Sequence, residues 1–184
     1  MRRPFISLLI FLSFCSAAKT SLVAFNVSPY QKSLYNEAIK HNINGAMPLN
    51  SQSFSVVVEG GKMGDFIAGK GFNAHDNNVC FVGWSEKKPT VKTVIPTIGF
   101  DDREAEVCNE TKSVGIVSSD KDPATKIAVI YLAASPNATA DEAIIFSVDS
   151  TTHDIDIDKA LTAKVGSSGA KTIKELKKKL SEQP

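Results

Sequence analysis

The sequence has little of what marks a catalytic, nucleic-acid-binding or membrane-spanning protein. It contains three histidines and no G-x-S-x-G motif of the kind that holds a hydrolase serine. Its 21 basic and 20 acidic side chains nearly cancel, so it lacks the large positive field that general nucleic-acid binding needs. Its longest apolar stretch, residues 5–14, is far shorter than the about 20 residues that span a bilayer. We therefore predict no nucleic-acid partner and no transmembrane segment.

Residues 1–18 have the three-part layout of a cleavable secretory signal. Arg2 and Arg3 supply positive charge, residues 5–14 are apolar, and residues 16–18 have small side chains. Such a signal is removed after its last small residue, which here is Ala18. The other end of the chain is polar and basic, with no apolar tail for a lipid anchor. The prediction is a soluble protein that is secreted and extracellular.

Signal cleavage removes Cys15 and leaves two cysteines, Cys80 and Cys108. In an oxidising compartment such a pair is expected to form a disulfide bond, which contributes about 3.5 kcal/mol in the chain-entropy model. Trp84 follows Cys80 too closely for an antibody-type domain. We expect the bond to join adjacent strands, or a strand and a loop. Two cysteines without nearby histidines cannot complete a tetrahedral zinc shell, and we predict no metal and no cofactor.

Three N-x-Ser/Thr triplets behind a secretory signal predict a glycoprotein. They begin at Asn26, Asn109 and Asn137. Asn137 is the best placed, because it lies in the turn-like sequence ASPNATADE between two apolar runs. Asn26 is the weakest, because Pro29 directly follows its triplet.

Short apolar runs separated by Gly, Pro, Asn and Asp predict a mostly β fold across residues 53–161. We expect one domain over residues 19–184, built as an antiparallel β-sandwich or small barrel of about 6–7 strands. The predicted strands are 54–59, 79–84, 90–100, 113–119, 126–134 and 143–150, with 153–161 as an optional seventh.

A helix is predicted on each side of the β-rich region. The first spans residues 29–42, with Ser28 as N-cap and Pro29 at the first helical position. The second is a short amphipathic helix over residues 172–181 that begins with a capping box, Thr172-x-x-Glu175.

Residues 60–78 interrupt the strand pattern with glycine and asparagine. The segment matches GxxxxGK up to Lys70, but Gly71 stands where a P-loop needs a hydroxyl group for Mg²⁺. We interpret it as a mobile loop between strands, which is where a rigid sandwich usually carries its binding residues. The candidate binding residues are Phe66, Lys70, Phe72 and His75.

The leading hypothesis for function is a non-enzymatic extracellular binding module that contacts a protein or a glycan through inter-strand loops. The alternative is a small secreted hydrolase that uses His75 or His153 with nearby carboxylates. The C-terminal lysines also suggest weak contact with an anionic surface, although a solvated face of an amphipathic helix needs no partner.

Secretion is tested at the N-terminus of protein recovered from culture medium. We expect that protein to begin at Lys19, since Ala18 ends the run of small residues. N-terminal sequencing measures this directly. Mature protein that retains Met1 contradicts the signal.

Overall fold

Two antiparallel β-sheets account for most of the chain. The computed structural model describes residues 20–100, 107–119 and 122–182, so the predicted signal lies outside the described residues. The first sheet has the order β1-β3-β4-β5-β6, and β2 also pairs with β4. Its strands are β1 (Thr20–Ala24), β2 (Asn44–Pro48), β3 (Phe54–Val58), β4 (Gly61–Phe72), β5 (Asn78–Ser85) and β6 (Thr93–Pro96).

The second sheet has the order β10-β9-β8-β7. Its strands are β7 (Val107–Ile116), β8 (Thr125–Ser135), β9 (Ala138–Val148) and β10 (Ile155–Ile157). The three α-helices are α1 (Gln31–Ile39), α2 (Lys159–Val165) and α3 (Ile173–Glu182), and 3₁₀ turns occupy Ser28–Tyr30 and Asn50–Gln52. Among the described residues, no helix has the length and apolarity that crossing a bilayer requires.

The elements form four layers with a hydrophobic core in each of the three spaces between them. The central core lies between the sheets and includes Phe66, Val82, Trp84, Val129, Tyr131 and Phe146. A second core lies under α1, where Leu34 and Ala38 pack with Ile67 and Phe81 of the first sheet. A third lies under α2 and α3, where Val165 and Leu176 pack with Ala128 and Ile130 of the second sheet.

The mostly β, antiparallel architecture and the C-terminal helix confirm the fold predicted from the sequence. The helix α3 is capped as its sequence indicates, because the Glu175 amide donates to the Thr172 hydroxyl at 3.2 Å. The prediction for 153–161 was wrong in its second half. Only Ile155–Ile157 form a strand, and α2 follows, with the Asp158 carboxylate accepting from the Leu161 amide at 3.0 Å.

The N-terminal helix is shorter than the predicted span of 29–42. Residues Ser28–Tyr30 form a 3₁₀ turn, and the α-helix ends at Ile39. The predicted cap was wrong as well, because the Ser28 side chain caps neither element. The described residues contain ten strands, more than the predicted number, since β1, β2 and β4 were not anticipated.

The prediction of a mobile loop over residues 60–78 was wrong. Gly61–Phe72 form β4, which pairs with β3 along its first half, with β2 near its end and with β5 over residues 65–72. Its glycines make room for aromatic rings. A Cβ atom on Gly64 would lie 2.3 Å from the Trp84 ring, and one on Gly69 would lie 2.3 Å from the Phe81 ring.

Replacing Gly69 with alanine tests this explanation of the glycines. The Phe81 ring is fully buried and has no open space to move into, so we expect Gly69→Ala to lower the free energy of unfolding by about 1–3 kcal/mol. Gly61→Ala in the same strand is the matched control, because the nearest atom to its new Cβ is a backbone oxygen at an ordinary 3.5 Å. Urea unfolding measures both variants. Equal losses contradict the packing explanation.

Candidate functional site

The structure separates the four candidate binding residues. Phe66 is fully buried in the central core, which corrects its expected role as a surface anchor. Lys70 and Phe72 are exposed near the end of β4, and His75 is exposed in the turn that follows. Because side chains alternate along a strand, Lys70 and Phe72 point to the same face of the first sheet.

Hydrogen bonds to Asn73 organise the turn between β4 and β5. Its side-chain oxygen accepts from the His75 amide at 2.9 Å and from the Asn77 amide at 3.1 Å. Its side-chain nitrogen donates to the Gly99 carbonyl oxygen at 3.0 Å. The predicted long loop is therefore reduced to a five-residue turn between β4 and β5, and a hydrogen bond ties this turn to Gly99.

A cavity of about 410 Å³ lies beside the Cys80–Cys108 disulfide bond, and we call it the disulfide cavity. Lys70, Asn78 and Gln52 line it, together with Asn109 of β7. Phe72 does not line the cavity, but it lies opposite the lining residue Asn78 in the β4–β5 pairing and two residues after Lys70. An exposed aromatic ring thus adjoins polar side chains around one opening.

The predicted disulfide bond is present, and it joins the two sheets. Cys80 is in β5 and Cys108 is in β7, with 5.6 Å between their Cα atoms. The expectation that it joins adjacent strands, or a strand and a loop, was wrong, because β5 and β7 belong to different sheets. Both residues belong to the central core, so the bond locks the sandwich where the cavity opens.

A buried carboxylate, Asp65, was missed in the sequence. It accepts hydrogen bonds from the Tyr30 hydroxyl, from Ser55 Oγ at 2.5 Å and from Lys62 Nζ at 2.7 Å. Burial of Tyr30, followed by its hydrogen bond to Asp65, raises the pKa of Tyr30 well above its usual value. These contacts join the N-terminal helical segment to the first sheet. The signal for this buried carboxylate in the sequence is a single aspartate among glycines and apolar residues.

The opposite end of the sandwich holds a cavity of about 440 Å³, which we call the histidine cavity. His153, Asp122 and Ser150 are among the residues that line it. The Asp122 carboxylate accepts from the Ser119 amide at 2.6 Å. The His153 backbone amide donates to the Asp149 carbonyl oxygen at 3.0 Å, and its carbonyl oxygen accepts from Trp84 Nε1 at 2.8 Å. These contacts fix the His153 backbone but do not assemble a catalytic pair.

An ion-pair group joins the two sheets at this same end. Lys92 Nζ lies 2.7 Å from the Asp154 carboxylate and 2.5 Å from that of Glu86. The hydrogen bond to Asp154, followed by that to Glu86, raises the pKa of Lys92. The same hydrogen bond from Lys92 is the largest cause of the lowered pKa of Asp154. All three groups are exposed, so their contribution to stability is small.

The three candidate glycosylation residues are all exposed. Asn137 lies in the two-residue turn between β8 and β9, where Ser135 pairs with Ala138. Asn26 is exposed just before the first 3₁₀ turn, and Asn109 is exposed on β7. All three side chains are therefore accessible from solvent.

Across residues 20–100, 107–119 and 122–182, no three His, Cys, Asp or Glu side chains are grouped as metal ligands. Comparisons with protein-family models, with curated proteins and with solved structures give no significant match.

The disulfide bond is tested with the double variant Cys80→Ala, Cys108→Ala. We expect the free energy of unfolding to fall by about 3.5 kcal/mol, because the open chain regains the entropy that the bond removes. Urea unfolding measures the loss. Because the two cysteines are bonded to each other, alkylation of unreduced protein is expected to find no reactive thiol, even after unfolding has exposed both residues. Two alkylatable thiols in native protein contradict the bond.

Proposed function

We propose that this protein is a secreted glycoprotein that works as a non-enzymatic extracellular binding module. Its ligand, a protein segment or a glycan, contacts the end of the sandwich at the disulfide cavity. The exposed ring of Phe72, opposite the lining residue Asn78 in the β4–β5 pairing, is the observation that supports the proposal most. Aromatic rings bury a large area for little loss of side-chain entropy, which is why they often serve as binding anchors.

The residues around Phe72 also suit a binding site. Its ring packs over Gly45 of β2, where a Cβ atom would lie 3.2 Å away. Met47 of β2 pairs with Lys70 and is also exposed. Two apolar side chains and one cation therefore share one face, and the amides of Asn78 and Gln52 line the adjoining cavity. Such a mixture supplies apolar contact together with hydrogen bonds for orientation.

The inter-sheet disulfide favours this end for a second reason. A covalent bond between β5 and β7 holds the two walls of the disulfide cavity at a fixed separation. A preformed cavity loses less entropy on binding than a flexible one. Asn109 lines the same cavity, so a glycan at Asn109 covers part of it, and the Asn109→Gln variant belongs in any binding measurement.

The second candidate is a small hydrolase at the histidine cavity. What favours it is the presence of His153, Asp122 and Ser150 around one cavity. His75, the other histidine considered, is exposed in a turn and far along β4 from that cavity. The contacts of Asp122 and His153 described above are with backbone groups, which fits a structural role for both residues better than a catalytic one.

A binding measurement with matched variants tests the proposal. The probe is a panel of immobilised extracellular glycans and intact cells, exposed to a multivalent form of the protein. We expect Phe72→Ala to reduce the bound signal by about tenfold or more, as for an anchor residue. Tyr35→Ala on α1 is the control, because Tyr35 is 42% exposed and Phe72 is 43% exposed.

The same measurement also shows which end of the molecule binds the ligand. His153→Ala alters only the histidine cavity, so it should leave binding unchanged. Binding that survives Phe72→Ala but is lost in His153→Ala would move the site to the opposite end. Equal signals from Phe72→Ala and Tyr35→Ala show that the ring of Phe72 is no anchor.

A further inference from the structure

Positive charge is concentrated in one part of the chain. Residues 159–182, which include α2 and α3, carry seven lysines and two glutamates. Residues 19–158 carry twelve basic and eighteen acidic side chains. A chain that is nearly neutral as a whole is thus strongly polarised, with a cationic layer over the second sheet.

The way α3 packs turns its lysines outward. Leu176 is fully buried, and Ile173 lies against β7 so closely that a Cβ atom on Gly115 would be 2.8 Å from it. The apolar stripe of the helix is therefore occupied by the second sheet. Lys177 and Lys178 follow Lys174 by three and four residues, and all three are exposed, which places both of them beside Lys174 on the helix surface.

Among the residues that the structure describes, most of these lysines have no carboxylate within ion-pair distance, unlike several lysines elsewhere in the fold. Lys112 and Lys126 of the second sheet each lie 2.6 Å from a carboxylate, in Asp141 and Asp158. Within the described part of the chain, the ion pair of α3 is that of Lys178 with Glu182, at 3.7 Å. The Glu175 carboxylate accepts from the backbone amide of Lys171 at 2.9 Å.

We propose that the exposed lysines of α2, of α3 and of the segment that joins them, the lysine surface, bind a sulfated polysaccharide. The lysine surface is made of Lys159, Lys164, Lys171, Lys174, Lys177 and Lys178. A linear polyanion matches it because several unpaired cations lie on one exposed layer and displace counterions together when it binds. Sulfated polysaccharides are extracellular, so the proposal shares the expectation of secretion, but it does not depend on the disulfide cavity.

A membrane surface fits this arrangement less well. An amphipathic helix that lies in a bilayer interface inserts its apolar face into the acyl boundary. Here that face is already packed on the second sheet through Ile173 and Leu176. Only the lysines remain for contact with a partner. They interact through their charge, and a highly sulfated chain supplies the matching negative charge.

Heparin is the probe for this proposal. We expect the protein to bind heparin with an affinity that falls linearly on a log–log plot against NaCl concentration. The variant Lys174→Gln, Lys177→Gln, Lys178→Gln should lose about tenfold or more in affinity and show a smaller salt slope. Phe72→Ala should bind heparin as the unmodified protein does. Failure of the lysine-surface proposal is therefore distinguishable from failure of the disulfide-cavity proposal.

The matched control is Lys32→Gln, Lys87→Gln, Lys88→Gln, which removes the same charge from exposed positions on α1 and the β5–β6 segment. It should bind heparin within about twofold of the unmodified protein, since it leaves the lysine surface intact. An equal loss in both triple variants means that net charge, not the lysine surface, governs binding. No heparin binding at low salt, or binding only to phosphatidylserine vesicles, overturns the proposal. Circular dichroism confirms that each variant is folded.

Discussion

The close packing of aromatic rings onto glycines in the first sheet is the constraint on which the rest of the structure depends. The first sheet is covered on both faces, by the second sheet on one side and by α1 on the other. Trp84 lies over Gly64 on one face, and Phe81 lies over Gly69. Because these glycines have no side chains, the rings fill the space next to the backbone. The neighbouring layers then lie close enough to bury both rings completely.

This constraint explains where prediction from the sequence succeeded and where it failed. Strands β8 and β9 were found because their continuous apolar runs are bounded by turn residues, and α3 was found because its stripe repeats at helical spacing. β4 was missed because glycine lowers strand propensity when it is considered alone. The partners that make glycine favourable there, Trp84 and Phe81, are distant in the sequence, and local pattern does not contain them.

The candidate site shows the same division between local and distant information. The disulfide bond was predicted from the expected oxidising compartment and from the presence of two cysteines after signal cleavage. Which sheets it joins depends on the topology of the fold, which the sequence pattern does not contain. Lys70 and Phe72 were selected as members of a loop, but both lie on β4, where Lys70 lines the cavity and Phe72 pairs with the lining residue Asn78. Asp65 was not selected, because its partners Tyr30 and Ser55 come from other elements. A buried carboxylate becomes recognisable only when those hydroxyl groups are placed around it.

The four layers also decide which surfaces are left for partners. The apolar stripe of α3 packs on the second sheet, whereas α1 packs Leu34 and Ala38 on the first sheet and leaves Tyr35 and Ile39 exposed. Among the described residues, the large exposed apolar side chains form two pairs, Tyr35 and Ile39 on α1 and Met47 and Phe72 on β2 and β4, with Val23 apart on β1. What α3 presents instead is charge. Under the two proposals, a partner that recognises apolar shape and a partner that recognises charge therefore contact different sides of the molecule.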